Sequence, residues 1–399
     1  MAGLAALAIA YVLSQFYRSF LAVLTPSLAA ELGATNADFS IASGAWFLTF
    51  ALAQFGIGVS LDRYGPRRTA AVLLALGGGG GAVVFASATA PWMLVAAMAL
   101  IGIGCAPVLM ASVFIFARTY SPARLALLTS SLIGIGSAGN VIGASPLAAA
   151  AEAFGWREVM LGLGLFTILT AAAVMVLVRD PEKVGGSGAD SGFSGYLELF
   201  RIRALWLLLP LVAINYAPAA GIRGLWAGPY LSDVFGADVL VIGQITLFMA
   251  FAMVAGNFLY GPMDTLFNTR KWVAVVGNAL SLAALGFLFL VPMPSLAVVT
   301  VALVAIGITG ASYGLLVAHG RSFMPVHLTG RGMTLLNFFS IGGVGVMQFA
   351  TGAVVTAYAD PADPALAYQA LFGFYMLMVG LSLAFYLFGR DAKPGQTPA

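Results

Sequence analysis

The sequence predicts an all-helical membrane protein, with twelve spans arranged as two repeated six-helix bundles. Three observations predict it. Of the 399 residues, 61% are hydrophobic and 8% are charged, and the mean hydropathy is +0.99; soluble domains carry about 25% charged residues. Apolar runs of roughly 20 residues, enough to cross the hydrocarbon core of a bilayer, fill nearly the whole chain. Lysines and arginines fall almost wholly in alternate gaps between those runs, the bias that sets orientation in helical membrane proteins. A β-barrel would need short alternating strands instead of long apolar runs.

The runs justify themselves in order. The first, 4–30, lacks a basic leader and a small-residue cleavage site, so it is expected to be a retained span. The second, 40–61, ends at the charged stretch "DRYGPRR". The third, 69–89, holds "GGGGG" (77–81), and the fourth, 91–117, opens on Pro91, a residue suited to a first helical turn. The fifth, 123–151, contains "LIGIGSAGNVIGASP" (132–146). Such small residues let membrane helices approach closely where lipid removes the usual hydrophobic drive. The glycine runs therefore read as packing surfaces and not as phosphate loops. The sixth span is 157–178. After the longest interior gap come 204–232, 239–263, 272–291, 295–318, 332–357 and 365–389.

That long gap, 179–203, includes "DPEKVGGSGADSG" (180–192), polar and glycine-rich, and reads as a flexible linker on the cytoplasmic side. It divides the chain into an N-terminal bundle, 1–178, and a C-terminal bundle with a short tail, 204–399. The halves resemble each other: Arg18, Pro26, Gly33 and Asp62 are answered by Arg223, Pro229, Gly236 and Asp264. Fifteen of the 18 basic residues lie in the even-numbered gaps and the tail, and the odd-numbered gaps hold only Arg157. The positive-inside rule then predicts that both termini are cytoplasmic. The single cysteine, Cys105, allows no intrachain disulfide and sits in an apolar stretch as a small packing residue.

At "GVSLDRYGPRR" (58–68) the chain resembles the signature between spans 2 and 3 of the major facilitator superfamily (MFS), with Gly58, Asp62, Arg63, Gly65, Arg67 and Arg68 in its fixed order. The matching loop of the second half, "GPMDTLFNTRK" (261–271), keeps Asp264 and the basic pair but lacks the second glycine. "FGWRE" (154–158) before span 6 is a further resemblance. The resemblance implies a transporter fold with a central cavity between the bundles. It also implies a gate in which Asp62, facing a helix N-terminus near Gly330 and an arginine such as Arg118, latches the cytoplasmic side; Arg63, Gly65, Arg67, Arg68 and Asp264 belong to the same set. Two departures stand out. Span 4, "AAMALIGIGCAP" (96–107), lacks the arginine that many proton-coupled members carry, and span 5 lacks a Gly-Pro dipeptide often linked to exporters.

Two arginines, Arg18 and Arg223, remain inside spans, while every Asp and Glu can be placed in a loop or at a span end. An arginine at the bilayer centre costs about 2.5–3.5 kcal/mol on insertion scales. Arg18 lies roughly 20 Å from either end of its span at 1.5 Å per residue, too deep for easy snorkelling. The cheaper explanation is a water-filled cavity whose missing anion is the substrate, because the guanidinium fork matches a carboxylate or phosphate. One such arginine in each of spans 1 and 7 resembles the anion-handling branches, the organophosphate:phosphate antiporters and organic-anion transporters. Arg223 stands six residues before its proline where Arg18 stands eight before its own, so its facing depends on a break in span 7 near Pro218, Gly221 and Gly224.

Further contacts are expected from polar and aromatic residues on the same helical faces: Tyr11 and Gln15 on span 1, Asn215, Trp226 and Tyr230 on span 7, and Asn140, Tyr313 and Asn337 on spans 5, 10 and 11. His319, near the end of span 10, reads as an interfacial structural residue. The expected function is secondary transport of a small anion (a carboxylate, phosphate ester or inorganic oxyanion) across the inner membrane by exchange or symport. Competing readings are a drug or metabolite exporter with an apolar cavity and a non-transporting sensor. The absent mid-membrane acid argues against cation efflux. No paired-acid, Ser-Lys or His-Glu arrangement at mid-span suggests an enzyme, and no metal, cofactor or nucleic-acid partner is expected. The expected partners are an anionic small molecule and the lipid bilayer, and the expected state is a monomer.

Overall fold

A computed structural model describes residues 2–120, 122–181, 194–325 and 328–393; the side chain of Asp62 lies outside what is described. Among the described residues the chain is helical and has no strand. Among the described residues ten helices are long and apolar enough to cross a membrane, and two bent pairs bring the number to twelve when each pair is one span. One pair is span 1, Ala2–Phe16 and Leu21–Leu32, bent by 54°. The other is span 5, bent by 42° between Leu127–Ile142 and Ser145–Phe154. The span expected over 4–30 is present as a broken helix: it opens over Tyr17–Phe20, and Arg18 stands in the opening.

Breaks recur in every third span. Span 4 opens at Ala106, between Pro91–Cys105 and Pro107–Thr119. Span 7 opens at Tyr216 and then widens into a π-helical turn over Ile222–Trp226. Span 10 opens between Leu296–Thr309 and Tyr313–Arg321. An opened turn frees carbonyls, which must find donors in a medium without water. They do: Ser14 donates to the Cys105 carbonyl (3.4 Å) and Gln54 to the Ala106 carbonyl (3.2 Å).

The repeat is visible in the helix ends. The helices Leu21–Leu32 and Ala227–Phe235 both close on a left-handed glycine, Gly33 and Gly236, each with φ +63°. Span 2 (Asn36–Tyr64) starts on a capping box in which Thr35 and Asp38 satisfy each other's backbone N–H groups. Span 8 (Val239–Leu266) starts with Asp238 accepting from Val241 N at 2.8 Å.

Two compact units result. The first gathers spans 1–6 with Gly224–Ser232 and Gly236–Leu247; the second gathers the rest of spans 7 and 8 with spans 9–12. In the first, glycine sets helix spacing. A Cβ on Gly139 would stand 2.0 Å from the Val12 carbonyl oxygen, so span 5 lies directly on span 1. A Cβ on Gly104 would stand 2.0 Å from Gly78 N, so the five-glycine run of span 3 lies against span 4. These are the helix contacts expected of small residues in membranes, and the glycine runs do serve as packing surfaces. In the second unit, Tyr260, Leu208, Leu211, Leu315, Leu336 and Tyr386 belong to one apolar core.

Candidate functional site

Arg18 is half-buried at the opening of span 1. Its guanidinium carbon lies 5.5 Å from the ring centroid of Trp46 and 5.4 Å from that of Phe50, both on span 2. These two rings stack on each other (5.1 Å, 19° between planes) because residues four apart share a helix face. Cation–π contact of this kind is worth about 0.5–2 kcal/mol, more when desolvated. The carboxylates of Asp180, Glu31 and Asp264 pair with Arg67, Arg157 and Arg270, and no described carboxylate neutralises Arg18. The Nε atoms of Arg18 and Trp46 Nε1 are both buried without a hydrogen-bond acceptor among the described residues.

Three other expected contacts, Tyr11, Gln15 and Asn140, lie in the same unit as Arg18. Gln15 donates to the Tyr11 hydroxyl at 2.9 Å, and Ser19, next to Arg18, donates to Asn140 Oδ1 at 3.4 Å. Asn140 comes that close because Gly136, Gly139 and Gly143 seat span 5 against Tyr11, Val12 and Phe16. Tyr11 is thus joined to Gln15, and Asn140 to Ser19, within the first unit. Trp226 and Tyr230 are fully buried in the segment of span 7 that belongs to the same unit.

In the second unit the expected residues divide. Tyr313 donates to Asn337 at 3.3 Å, joining spans 10 and 11. Asn215 is instead built into the core: its amide donates to Asn278 Oδ1 (2.8 Å) and to Ser312 Oγ (2.9 Å), bridging the breaks in spans 7 and 10. Arg223 is 2% exposed and lies in the π-helical turn. That turn is the break in span 7 on which its facing was expected to depend. Beside it, Gln348 donates to the Gly221 carbonyl (3.4 Å), and the Tyr375 hydroxyl occupies the place where a Cβ on Gly221 would stand.

The signature loop contains a contact that the sequence reading missed. Gly65 has φ +87° and ends span 2, a conformation that favours glycine. The carboxylate of Asp180, just past span 6, packs against it and accepts from Arg67 N at 2.8 Å, capping the helix Pro66–Leu73. Arg67 adds an ion pair at 3.6 Å. The second half repeats this. Asp391, just past span 12, accepts from Lys271 N (2.9 Å) and Thr269 Oγ1 (2.5 Å) and caps the helix Lys271–Leu290. Burial works to raise the Asp391 pKa, but the bonds from Thr269 and Lys271 outweigh it and hold the carboxyl below its usual value. Asp264 pairs with Arg270 at 3.1 Å. Arg63 and Arg118 lie over Tyr64 and Phe114, and Arg68 is exposed. The pairing expected between Asp62 and Arg118 lies outside the described residues, because the Asp62 side chain does.

The "FGWRE" stretch has a structural use. Glu31 at the end of span 1 accepts from Trp156 Nε1 (2.5 Å) and Arg157 Nε (2.7 Å), and Arg157 also donates to the Ala86 carbonyl (2.8 Å). The one basic residue of the odd-numbered gaps thereby ties spans 1, 3 and 6 together. His319 is buried: Nε2 donates to the Arg390 carbonyl (3.0 Å), which leaves Nδ1 to accept from the Tyr386 hydroxyl (2.6 Å). No cluster of metal-ligating side chains occurs among the described residues.

A multi-pass helical protein with two repeated units, broken spans and a half-buried arginine has the build of a membrane transporter. The chain belongs to the Major Facilitator Superfamily, whose family model matches residues 7–227. It is 25% identical over 306 residues to a probable L-galactonate transporter of Escherichia coli (strain K12); the match covers 68% of this chain and 61% of that relative's length. Its fold is similar to that of a bacterial homologue of the human lysosomal transporter Spinster in an inward-facing and occupied conformation (TM-score 0.77, 20% identity, 97% of this chain and 96% of that one). It is also similar to that of a D-xylose–proton symporter (TM-score 0.78, 14% identity, 99% of both chains).

Proposed function

We propose that this chain is a secondary active transporter that moves a small organic anion across the cytoplasmic membrane by alternating access. The observation that carries the reading is Arg18, a cation in the opening of a membrane span that no described carboxylate neutralises. A buried charge without a counter-ion is costly, and an anionic substrate would supply the counter-ion when it binds. The relative described as a probable L-galactonate transporter, whose named substrate is a carboxylate, supports the same class. Tyr11, Gln15 and Asn140 are the proposed polar neighbours. Arg223, Trp226, Tyr230, Tyr313 and Asn337 remain proposed contacts from spans 7, 10 and 11; Asn215, whose amide is taken up by Asn278 and Ser312, is not among them. The basic loops and both termini are assigned to the cytoplasmic side by the distribution of charge.

The test is a thermal-shift screen of purified protein against carboxylates, phosphate esters and inorganic oxyanions. A ligand that binds the folded state raises its melting temperature by mass action. An organic anion should do so in the wild type and fail in Arg18→Gln. Equal stabilisation of both proteins removes Arg18 from the site.

A further inference from the structure

Trp46 offers a second unused donor beside Arg18. Its ring is 0% exposed, and its Nε1 has no acceptor among the described residues. A buried tryptophan N–H normally finds a partner, and leaving one unmade costs stability. The ring is also fixed in place, stacked on Phe50 and edge-on to Phe47 at 4.9 Å. Span 4 closes in behind it: a Cβ on Gly102 would stand 2.4 Å from the Trp46 carbonyl oxygen. The neighbouring guanidinium presents a buried Nε in the same condition. Two adjacent side chains thus hold buried N–H donors that nothing described in the protein accepts.

We infer that the Trp46 Nε1–H and the Arg18 guanidinium together hold one carboxylate, which makes Trp46 a specificity-determining residue. The inference rests on the reading of Arg18 as the anion contact. A carboxylate carries one charge on two coplanar oxygens, so one oxygen can take the guanidinium and the other the indole N–H. Phosphate and sulfate bring three or four oxygens and up to two charges. The surroundings of Arg18 on span 2 are aromatic rings, which supply no further donors and poorly solvate a second charge. On the span 2 side of Arg18 the local chemistry therefore favours a carboxylate over a tetrahedral oxyanion.

Trp46→Phe tests it, because the phenyl ring keeps an aromatic face towards Phe50 and Arg18 and removes the N–H, together with the volume of the second ring. Equilibrium binding of L-galactonate, D-gluconate, L-lactate and inorganic phosphate is measured on wild type, Trp46→Phe and Arg18→Gln, together with the melting temperature of each empty protein. The wild type should bind at least one carboxylate and prefer it to phosphate. Trp46→Phe should bind that carboxylate about tenfold or more weakly, the loss expected of one hydrogen bond to a charged group, in a protein that still folds. Should Trp46→Phe fold poorly, 3-(3-benzothienyl)alanine at position 46 replaces the N–H by sulfur at nearly constant shape and must show the same loss. Affinity retained within about twofold in either replacement overturns the role of Trp46 and leaves that of Arg18 standing. A wild type that prefers phosphate overturns the carboxylate assignment. Binding that survives in Arg18→Gln, or no binding of any of the four probes, overturns the anion site itself and this inference with it.

Discussion

The Asp180 carboxylate accepts a 2.8 Å hydrogen bond from the backbone N–H of Arg67, more than a hundred residues earlier in the chain. It joins the segment that leaves span 6 to the loop that enters span 3. Asp391 does the same for Lys271 in the second half. An acceptor at a helix N-terminus satisfies an N–H that has no partner within the helix and complements the helix dipole. Because both halves use the device, it belongs to the repeated unit.

Removing either cap should therefore cost stability. Asp180→Ala and Asp391→Ala are each expected to lose about 1 kcal/mol, the usual value of an N-cap side chain, read as a melting temperature a few degrees lower. Gly65→Ala should cost more, because it forces a φ of +87° on a residue with a Cβ and places that Cβ 2.9 Å from the Asp180 carboxyl carbon. Combining Gly65→Ala with Asp180→Ala should recover part of that loss by clearing the clash. A double variant no better than the sum of the singles would show that the strain is in the backbone alone.

Asp391 gives the C-terminal cap a pH dependence. Its carboxyl is held below the usual value in the folded protein. A depressed folded pKa contributes stability that is present above the unfolded pKa and is lost as the pH falls through the folded one. The unfolded value for aspartate is about 3.9, so the loss begins below about pH 4. Melting curves from pH 6 downward should show a steeper decline for the wild type than for Asp391→Asn. Parallel declines would mean that the bonds to Thr269 and Lys271 do not favour the charged form.

Arg18 variants separate binding from packing. Arg18→Lys keeps the charge but loses the two-pronged geometry and the flat face against Trp46 and Phe50, so it should weaken anion binding in a folded protein. Arg18→Gln should abolish binding. For the empty protein two effects oppose each other: a charge without a counter-ion is removed, and a cation–π contact of about 0.5–2 kcal/mol is lost. The melting temperature is expected to move by only a few degrees. Retained affinity with a strongly lowered melting temperature would make Arg18 a packing residue.

Coupling should not require a fixed carboxylate in the membrane. The described acids within spans, such as Glu31, Asp233 and Asp264, all lie in a terminal turn of their helices. Counter-substrate exchange in liposomes is expected to persist without a pH gradient. Collapse of exchange in that assay would point to a proton carried by the protein, with buried His319 as the first candidate.

Asp62 is the proposed gate. Asp62→Asn should reduce transport with little loss of expression and should shift the inward/outward balance read by cysteine accessibility. Unchanged transport together with unchanged accessibility would remove Asp62 from the gate.

The sequence by itself determined the helical membrane class, the number of spans, the internal repeat and the family signature. Each of these follows from one-dimensional regularities: run length against bilayer thickness, basic residues on alternate gaps, and a local motif whose glycine is set by backbone conformation. It also singled out Arg18, because a charge inside an apolar run is visible without coordinates. Tertiary structure alone decided what surrounds that charge. Trp46 and Phe50 were legible as an aromatic pair four residues apart in "GAWFLTF" (44–50), yet nothing in that spacing says which span they face. Gly102 and Gly139 decide it by letting spans 4 and 5 close on spans 2 and 1. Asn215 reads as a site residue by polarity, and only its bonds to Asn278 and Ser312 show that it joins two broken helices. Asp180 and Asp391 look like loop acids until the chain brings them back to Arg67 and Lys271. Such pairings join residues more than sixty positions apart, and helix packing in a membrane, driven by close fit and by backbone groups that must be satisfied, is what chooses them.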